Sequence, residues 1–460
     1  MLQPKIGFIL YGTHKDGLKD PMGTLYIDDG VIRRSKSALQ AGGVELCCHE
    51  TVVATKEEAK AALRHYKNDD SIDGIILFSA TWIWASHLIG AVREYAQTGK
   101  GILLWTHDGS QGWRPVGGFV MHGAMLEVGI PHTFVYGGAD DVAEVSTILD
   151  FCRACCLKNM LNLSTIGAFG GRGMGQTCGC ADPSQWMKTF GVDIDSRDTT
   201  ALIRHAQEIP KARIDELAPR FEKLFARLPE NTESTQRSIR LYLALKDIVA
   251  RERFDFYTIQ SYPGLADDYV ASCFAQSMML EDGVPTSTLS DFNTAMTVYL
   301  LTKLSGDRVY YGDLQHFDKT TREMKIIGDG AVPPSLAYGD SRAEFAGHGI
   351  PTEGQAGGLS VSLVCKEGKG VLARLGRVDG KFTMVLARCD VFVPDQQELE
   401  ARCMECGIPF WPHAFATMHC DMDALLQNWN NEYGVLGYGE QLYGALAAFC
   451  KLTGIDLIAL

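Results

Sequence analysis

The sequence predicts an α/β protein: two doubly wound, Rossmann-like domains over residues 1–158 and 159–284, then a largely β C-terminal domain over 285–460 with a closing helix. Three observations carry this. Strand-like apolar runs alternate with helix-period segments from residue 5 to about 158, the alternation resumes near Leu161, and beyond about residue 285 short strand-like runs with Gly-rich turns take over. Alternation implies parallel strands joined by right-handed helical crossovers, since that connection packs back on its own sheet. At roughly 150 residues per domain, a chain of 460 residues also predicts about three domains.

In the first domain Lys5–Tyr11, Gly74–Ser79, Gly101–Trp105 and Thr133–Gly137 read as strands, and Lys56–Tyr66 and His87–Gln97 as helices. The stretch Thr81–His87 carries Trp82 and Trp84 directly after a strand, where doubly wound folds place binding loops. The two indoles suit a sugar or a partner subunit; capping of the sheet is the alternative. In the second domain the strand Ser164–Phe169 runs into Gly170-Gly171-Arg172-Gly173-Met174-Gly175. Such a loop brings backbone N–H groups close to an anion, but it lacks G-x-G-x-x-G spacing and no G-x-x-x-x-G-K-[ST] occurs. Dinucleotide or ATP binding is therefore weakly supported. Charged helices follow (Thr200–Gln207, Glu216–Arg227, Glu233–Arg253), then a strand at Asp255–Gln260. The last domain reads as strands Arg308–Tyr311, Gly358–Cys365, Val371–Leu375 and Phe382–Val393, closed by a helix from Gln441 to Thr453.

With 46% hydrophobic and 22% charged residues the chain can bury several cores. Lys+Arg 43 against Asp+Glu 56 gives a net charge of -13, which argues against nucleic acid and anionic membrane as partners. The apolar run near Met1 is too short for a signal segment or a membrane span. The 14 cysteines sit mostly in apolar segments, which fits a reducing cytoplasm. Two C-x-x-C pairs, Cys152/Cys155 and Cys403/Cys406, the second followed by His413 and His419, have zinc-like spacing. Buried core cysteines are the favoured reading.

No G-x-S-x-G elbow, H-E-x-x-H helix or EF-hand loop is present, which removes the commonest hydrolase and zinc-protease readings. Carboxylate-bearing loops remain: Asp267-Asp268 after a Pro-Gly turn, Asp291 before a helix, and Asp313 at a strand end. Carboxylates at strand ends can hold a hard divalent cation and move protons, although a lone Asp before a helix is more often its N-cap.

Three separated blocks resemble the L-fucose/L-arabinose isomerase superfamily and its fucose-isomerase-like branch. The first runs from the glycine loop Gly170–Gly175 through Asp182-Pro183-Ser184-Gln185-Trp186 to Phe190-Gly191-Val192-Asp193. The second spans Phe254 to Asp318 and includes Gly283-Val284-Pro285, Asp291-Phe292-Asn293-Thr294 and Gly312-Asp313. The third is Trp411-Pro412-His413-Ala414-Phe415-Ala416 with Tyr438-Gly439-Glu440.

The resemblance implies an aldose–ketose isomerase, homo-oligomeric, of hexameric kind, with active sites between subunits and a divalent ion, Mn2+ or Mg2+. In that chemistry the ion stabilises a cis-enediolate while a carboxylate moves the proton between C1 and C2. Asp291 matches the family's aspartate ligand. The other ligands do not carry over: Leu289 stands where relatives have glutamate, Tyr433 where they have histidine, and Gly328-Asp329-Gly330 replaces an H-C-G. A phenol is a poor ligand for a hard dication. Either the metal is held by a set drawn from Asp291, Asp267, Asp268, Glu432 and His413, or Tyr433 donates a hydrogen bond to the oxygen that the metal would otherwise bind.

Catalysis is thus expected from Asp291, Asp268 and Tyr433, and metal binding from Asp291, Asp268 and Glu432. Substrate contacts are expected from Trp82, Trp84, His107, Arg114, Arg172, Met174, Gln260 and His413. Arg114 and Arg172 suit an anionic substituent, so a deoxy or sulfonated sugar such as sulfoquinovose is an expected substrate. An enediolate lyase and a catalytically degenerate sugar-binding protein are the alternatives.

Overall fold

The structure, a computed structural model, describes residues 2–13, 27–107, 113–347, 357–405 and 407–460. It divides into two compact units: the chain through Met160 with Gly444–Thr453, and Leu161–Tyr443 with Gly454–Leu460.

The first unit is built on a five-stranded parallel sheet, β1 (Lys5–Tyr11), β2 (Glu45–Cys48), β3 (Gly74–Ser79), β4 (Gly101–Thr106) and β5 (Thr133–Tyr136), in the order β2-β1-β3-β4-β5. β3 and β4 are buried along their whole length, which is why they read as continuous apolar runs rather than alternating ones. Helices cover both faces. One core gathers Tyr66, Tyr95 and Met121; the other gathers Phe8, Phe78, Trp105 and Phe151. Cys152 and Cys155 are buried, and burial pushes both thiols up, as for core cysteines rather than ligands. The strand order reverses between β1 and β3, and just beyond their carboxyl ends Thr13 N–H donates to Thr81 Oγ1 (2.7 Å) and the Thr13 hydroxyl to the Trp82 carbonyl (2.5 Å).

The second unit holds a parallel sheet and an antiparallel one. β6 (Thr165–Phe169), β7 (Asp193–Arg197), β8 (Phe256–Ile259) and β9 (Thr286–Ser287) pair as β7-β6-β8-β9, all parallel. β10 (Tyr310–Asp318) and β11 (Glu323–Ile327) begin the antiparallel part, and β12 (Glu344–Gly347) and β13 (Leu359–Ser362) form a separate two-stranded sheet. β14 (Gly368–Val378), β15 (Lys381–Phe392), β16 (His413–Met418), β17 (Tyr433–Tyr438) and β18 (Asp456–Ala459) complete the set. The order β14-β17-β10-β11-β16-β15, with β15 pairing back on β14, closes a six-stranded antiparallel barrel; β18 adds to β15 in parallel. Tyr310, Met324, Ile326, Leu372, Ala387, Ala414 and Leu436 belong to one core cluster and fill the barrel interior.

The α/β class with a β-rich C-terminal part and a closing helix is therefore as expected. Differences lie in the ends and breaks. The expected helix Glu216–Arg227 shortens to Ala218–Leu224, with Pro219 in its first turn, and a separate short helix, Lys211–Asp215, precedes it. A strand follows the closing helix, because Asp456–Ala459 finds an open edge on β15. Among the described residues no helix is long and apolar enough to cross a membrane.

Candidate functional site

The site of the second unit starts where β9 ends. Leu289 and Ser290 take left-handed backbone angles (φ 58° and 54°), an uncommon and strained conformation for non-glycine residues, and together they turn the chain into the helix Phe292–Ser305. The turn is held from below: Ser290 N–H donates to the Ile259 carbonyl (3.1 Å) and the Ser287 hydroxyl to the Asp291 carbonyl (2.6 Å). Asp291 caps the helix, accepting from Thr294 N–H and the Thr294 hydroxyl (both 2.9 Å). It is wholly buried, and its Oδ2 also accepts from Arg374 Nη2 and from Asn431 Nδ2, each at 2.9 Å.

The glycine loop seats against this turn. A Cβ on Gly173 would come within 2.3 Å of the Leu289 carbonyl oxygen, so only glycine allows the approach. Gln260 ties the loop, accepting from Gly171 N–H (3.0 Å) and donating to the Arg172 carbonyl (3.3 Å). Asn293 donates to the Cys178 carbonyl (2.9 Å), and Gln176 donates to Glu432.

Beside the turn lies the outer face of the barrel. Tyr433, Asp313, Ile327 and His413 stand opposite one another across β17, β10, β11 and β16, and directly opposed residues of antiparallel strands point to one face. Tyr311, two residues before Asp313, shares that face, and its ring meets Tyr433 edge-on at 6.0 Å. Asp329, two residues beyond Ile327, extends the row just past β11. The Thr288 hydroxyl donates to Tyr433 Oη (3.3 Å), joining this row to the end of β9.

The electrostatics of the row follow from its burial. Burial, with Asp329 and Glu432 adding repulsion, raises the Asp313 carboxyl to about 7. Burial raises Asp329 to about 6, against hydrogen bonds from Thr288, the Ala331 backbone and Cys273. Burial also drives the Tyr433 and Tyr311 phenols well above their ordinary value, the neighbouring acids adding to it. At neutral pH the row thus holds a carboxyl able to accept and return a proton beside neutral phenols able to donate hydrogen bonds.

The expected site residues separate. Asp291 belongs to the cap and to a buried ion pair; Glu432 is exposed and bonded to Gln176; Asp268 is exposed at the end of the short helix Ala266–Asp268. The structure does not assemble Asp291, Asp268 and Glu432 into a ligand set. Among the described residues no three His, Cys, Asp or Glu side chains form a group that could hold a metal ion. Asp291 offers little to a dication, because guanidinium, carboxamide and hydroxyl donors already point at one of its oxygens and a backbone N–H at the other. Cys406 of the second C-x-x-C pair lies outside the described residues.

His413 shares the outer face but is buried against Phe415, and burial lowers it to about 4, so it stays neutral. Arg172 is exposed on the glycine loop, with Met174 beside it 66% exposed. Trp82, Trp84, His107 and Arg114 all lie in the first unit, beyond the carboxyl ends of β3 and β4. The indoles of Trp82 and Trp84 meet at 4.7 Å with Trp84 60% exposed, whereas Arg114 is buried and its carbonyl accepts from the Ser79 (2.9 Å) and Thr106 (2.8 Å) hydroxyls. In the sequence Asp313 reads as a strand-end carboxylate able to hold a cation or move a proton, and Asp329 as part of the Gly328-Asp329-Gly330 replacement, but neither is singled out as a site residue, nor are Tyr311, Thr288 and Arg374. Cross-strand register places Tyr311 and Asp329 beside Asp313, whereas Thr288 and Arg374 join through tertiary hydrogen bonds.

No family model matches the chain. It is similar to curated sulfoquinovose isomerases: 24% identical over 335 residues to that of Priestia aryabhattai, covering 71% of this chain and 74% of the relative. The likeness to the one from Alkalicoccus urumqiensis is 21% over 309 residues (64% and 68%), and to that of Clostridium sp. 24% over 258 residues (55% and 57%). The chain is an isomerase. Its class is that of intramolecular oxidoreductases, and the likeness supports a sugar isomerase family. Among solved structures, a glucose-galactose binding protein from Geobacillus stearothermophilus aligns with 12% identity and a TM-score of 0.16, over 66% of this chain and 92% of that one, too weak to carry an argument.

Proposed function

We propose that this isomerase interconverts an aldose and a ketose through a cis-enediol, on a sulfonated monosaccharide of the sulfoquinovose type. The observation that carries the reading is the half-buried Asp313 and the buried Asp329, both with raised proton affinity, set beside the Tyr433 phenol. Asp313, partly exposed, is the group placed to meet substrate. As carboxylate it takes the proton from C2; the electron pair forms the C1–C2 double bond while O1 gains a proton. Loss of the O2 proton and return of the carried proton to C1 completes the ketose. Tyr433 donates a hydrogen bond to the oxygen on which charge develops, and the charge of Asp329 adds to the effect of burial in raising the proton affinity of Asp313. Among the described residues the acids and histidines do not gather into a set that fits a metal ion.

The exposed Arg172 on the glycine loop is the candidate partner of the sulfonate. We further propose a homo-oligomer, with Trp82 and Trp84 reaching the sugar from another copy. The exposed apolar side chains of the first unit, Trp84, Phe119, Leu126 and Tyr136, support an interface there.

The experiment is turnover of sulfoquinovose in deuterated water. The expected product is the ketose carrying deuterium at C1, with deuterium appearing at C2 of recovered aldose. Binding without exchange would identify a sugar-binding protein, and carbon–carbon cleavage a lyase; either result overturns the proposal.

A further inference from the structure

We propose that the first unit carries a second binding site, for an organic oxyanion of the phosphate or sulfonate type, in the cleft at the amino-terminal ends of β4 and β5. The cleft holds about 580 Å³ and is lined by Lys100, Lys158, Lys451, His122, His132 and Phe134, with no Asp or Glu among its lining residues. In a chain of net charge -13 this is a local inversion of sign.

Two of the lysines are held by carbonyl groups. Lys158 Nζ donates to the Gly99 (2.7 Å) and Leu452 (3.0 Å) carbonyls, and Lys100 Nζ to the Asp69 carbonyl (2.8 Å). An ammonium has three donors, so both lysines retain hydrogen-bonding capacity while fixed in position. The imidazoles form a chain whose tautomers follow from the geometry. His132 Nδ1 lies 2.8 Å from the Ile130 carbonyl, which can only accept, so Nδ1 carries the hydrogen. Its Nε2 then accepts from His122 Nδ1 at 2.8 Å, leaving His122 Nε2 as the nitrogen without a hydrogen, on a ring stacked 4.2 Å from Phe134. Burial, with His122 and Lys451 adding repulsion, lowers His132, and burial lowers Lys158.

Crowded positive groups without a counter-charge are what an incoming oxyanion relieves, and lysines serve such ligands as point charges. The volume exceeds that of an inorganic ion, since a water molecule takes about 30 Å³, and Phe134 supplies an apolar wall for the body of the ligand. The cleft lies at the strand ends opposite to those that carry Trp82 and Arg114, so it is not part of the proposed sugar site.

Calorimetric titration of the full chain with phenyl phosphate tests this, with phenol as the neutral control at fixed ionic strength. Saturable binding of phenyl phosphate, but not of phenol, is expected. The double variant K100Q/K451Q should bind about tenfold more weakly or worse, and His122→Gln more weakly as well, with melting temperature and ligand-free isomerase turnover unchanged. Equal affinity in the double variant, or no saturable binding at millimolar concentration, would overturn the site. A loss of ligand-free turnover in these variants would overturn its separation from the catalytic site. Because binding is read without sugar, its failure is distinct from failure of the proposed isomerisation.

Discussion

Asp313 and Asp329 illustrate how burial makes an ordinary carboxylate useful at neutral pH. A base must be ionised to take a proton, and Asp313 sits at about 7. kcat/KM should therefore fall as pH drops below about 7. Replacing Asp329 by Asn removes a repelling charge, eases ionisation of Asp313 and should move that fall to lower pH; an unmoved profile argues against the coupling. Asp313→Asn should lower turnover by about 10²–10⁴-fold with little change in melting temperature. Tyr433→Phe removes a donor and should lower turnover by about 10²-fold, measured on the same substrate. Asp291 behaves differently. Asn can still cap the helix but cannot neutralise Arg374, which is wholly buried, so Asp291→Asn should destabilise by about 3 kcal/mol in denaturant unfolding.

Among the elements, the turn 288–291 and the glycine loop act as a pair. Leu289 and Ser290 keep their left-handed angles because Ile259, Ser287 and the loop surround them. Gly173→Ala would push a methyl group against the Leu289 carbonyl, and backbone rather than a flexible side chain would have to yield. We expect such a variant to fold, since the sheet β6–β9 is untouched, but to lose turnover by at least about tenfold as Thr288 moves relative to Tyr433. Thermal unfolding beside steady-state kinetics separates the two effects. The barrel contributes register: because Asp313 opposes Tyr433 on one side and Ile327 on the other, a one-residue slip would turn both polar groups into the apolar interior.

At the scale of the whole molecule, the two units divide the expected site residues between them. Asp291, Arg172, Gln260 and Tyr433 lie in the second, and Trp82, Trp84, His107 and Arg114 in the first. If the latter serve the sugar from another copy, the protein is an oligomer, expected as a hexamer. Light scattering that finds only a 50.5 kDa species at working concentration would reject it, and Trp84→Ala should weaken assembly and turnover together.

The alternation of apolar runs with helical segments was enough to reveal the α/β class, and the runs 74–79 and 101–106 could be read directly because both faces of those strands are buried. The strand at 45–48 left no such mark, since its side chains are half-buried or exposed at a sheet edge. Asp291 was visible as an acid before a helix, but nothing local distinguishes a cap from a ligand. That depends on Arg374, 83 residues away in sequence. The pairing of Asp313 with Tyr433, and of both with Asp329 and Thr288, likewise follows only from barrel closure and register. Periodicity is a local property and is written along the chain, whereas charge compensation and proton affinity depend on which distant groups are brought together and how much water they lose.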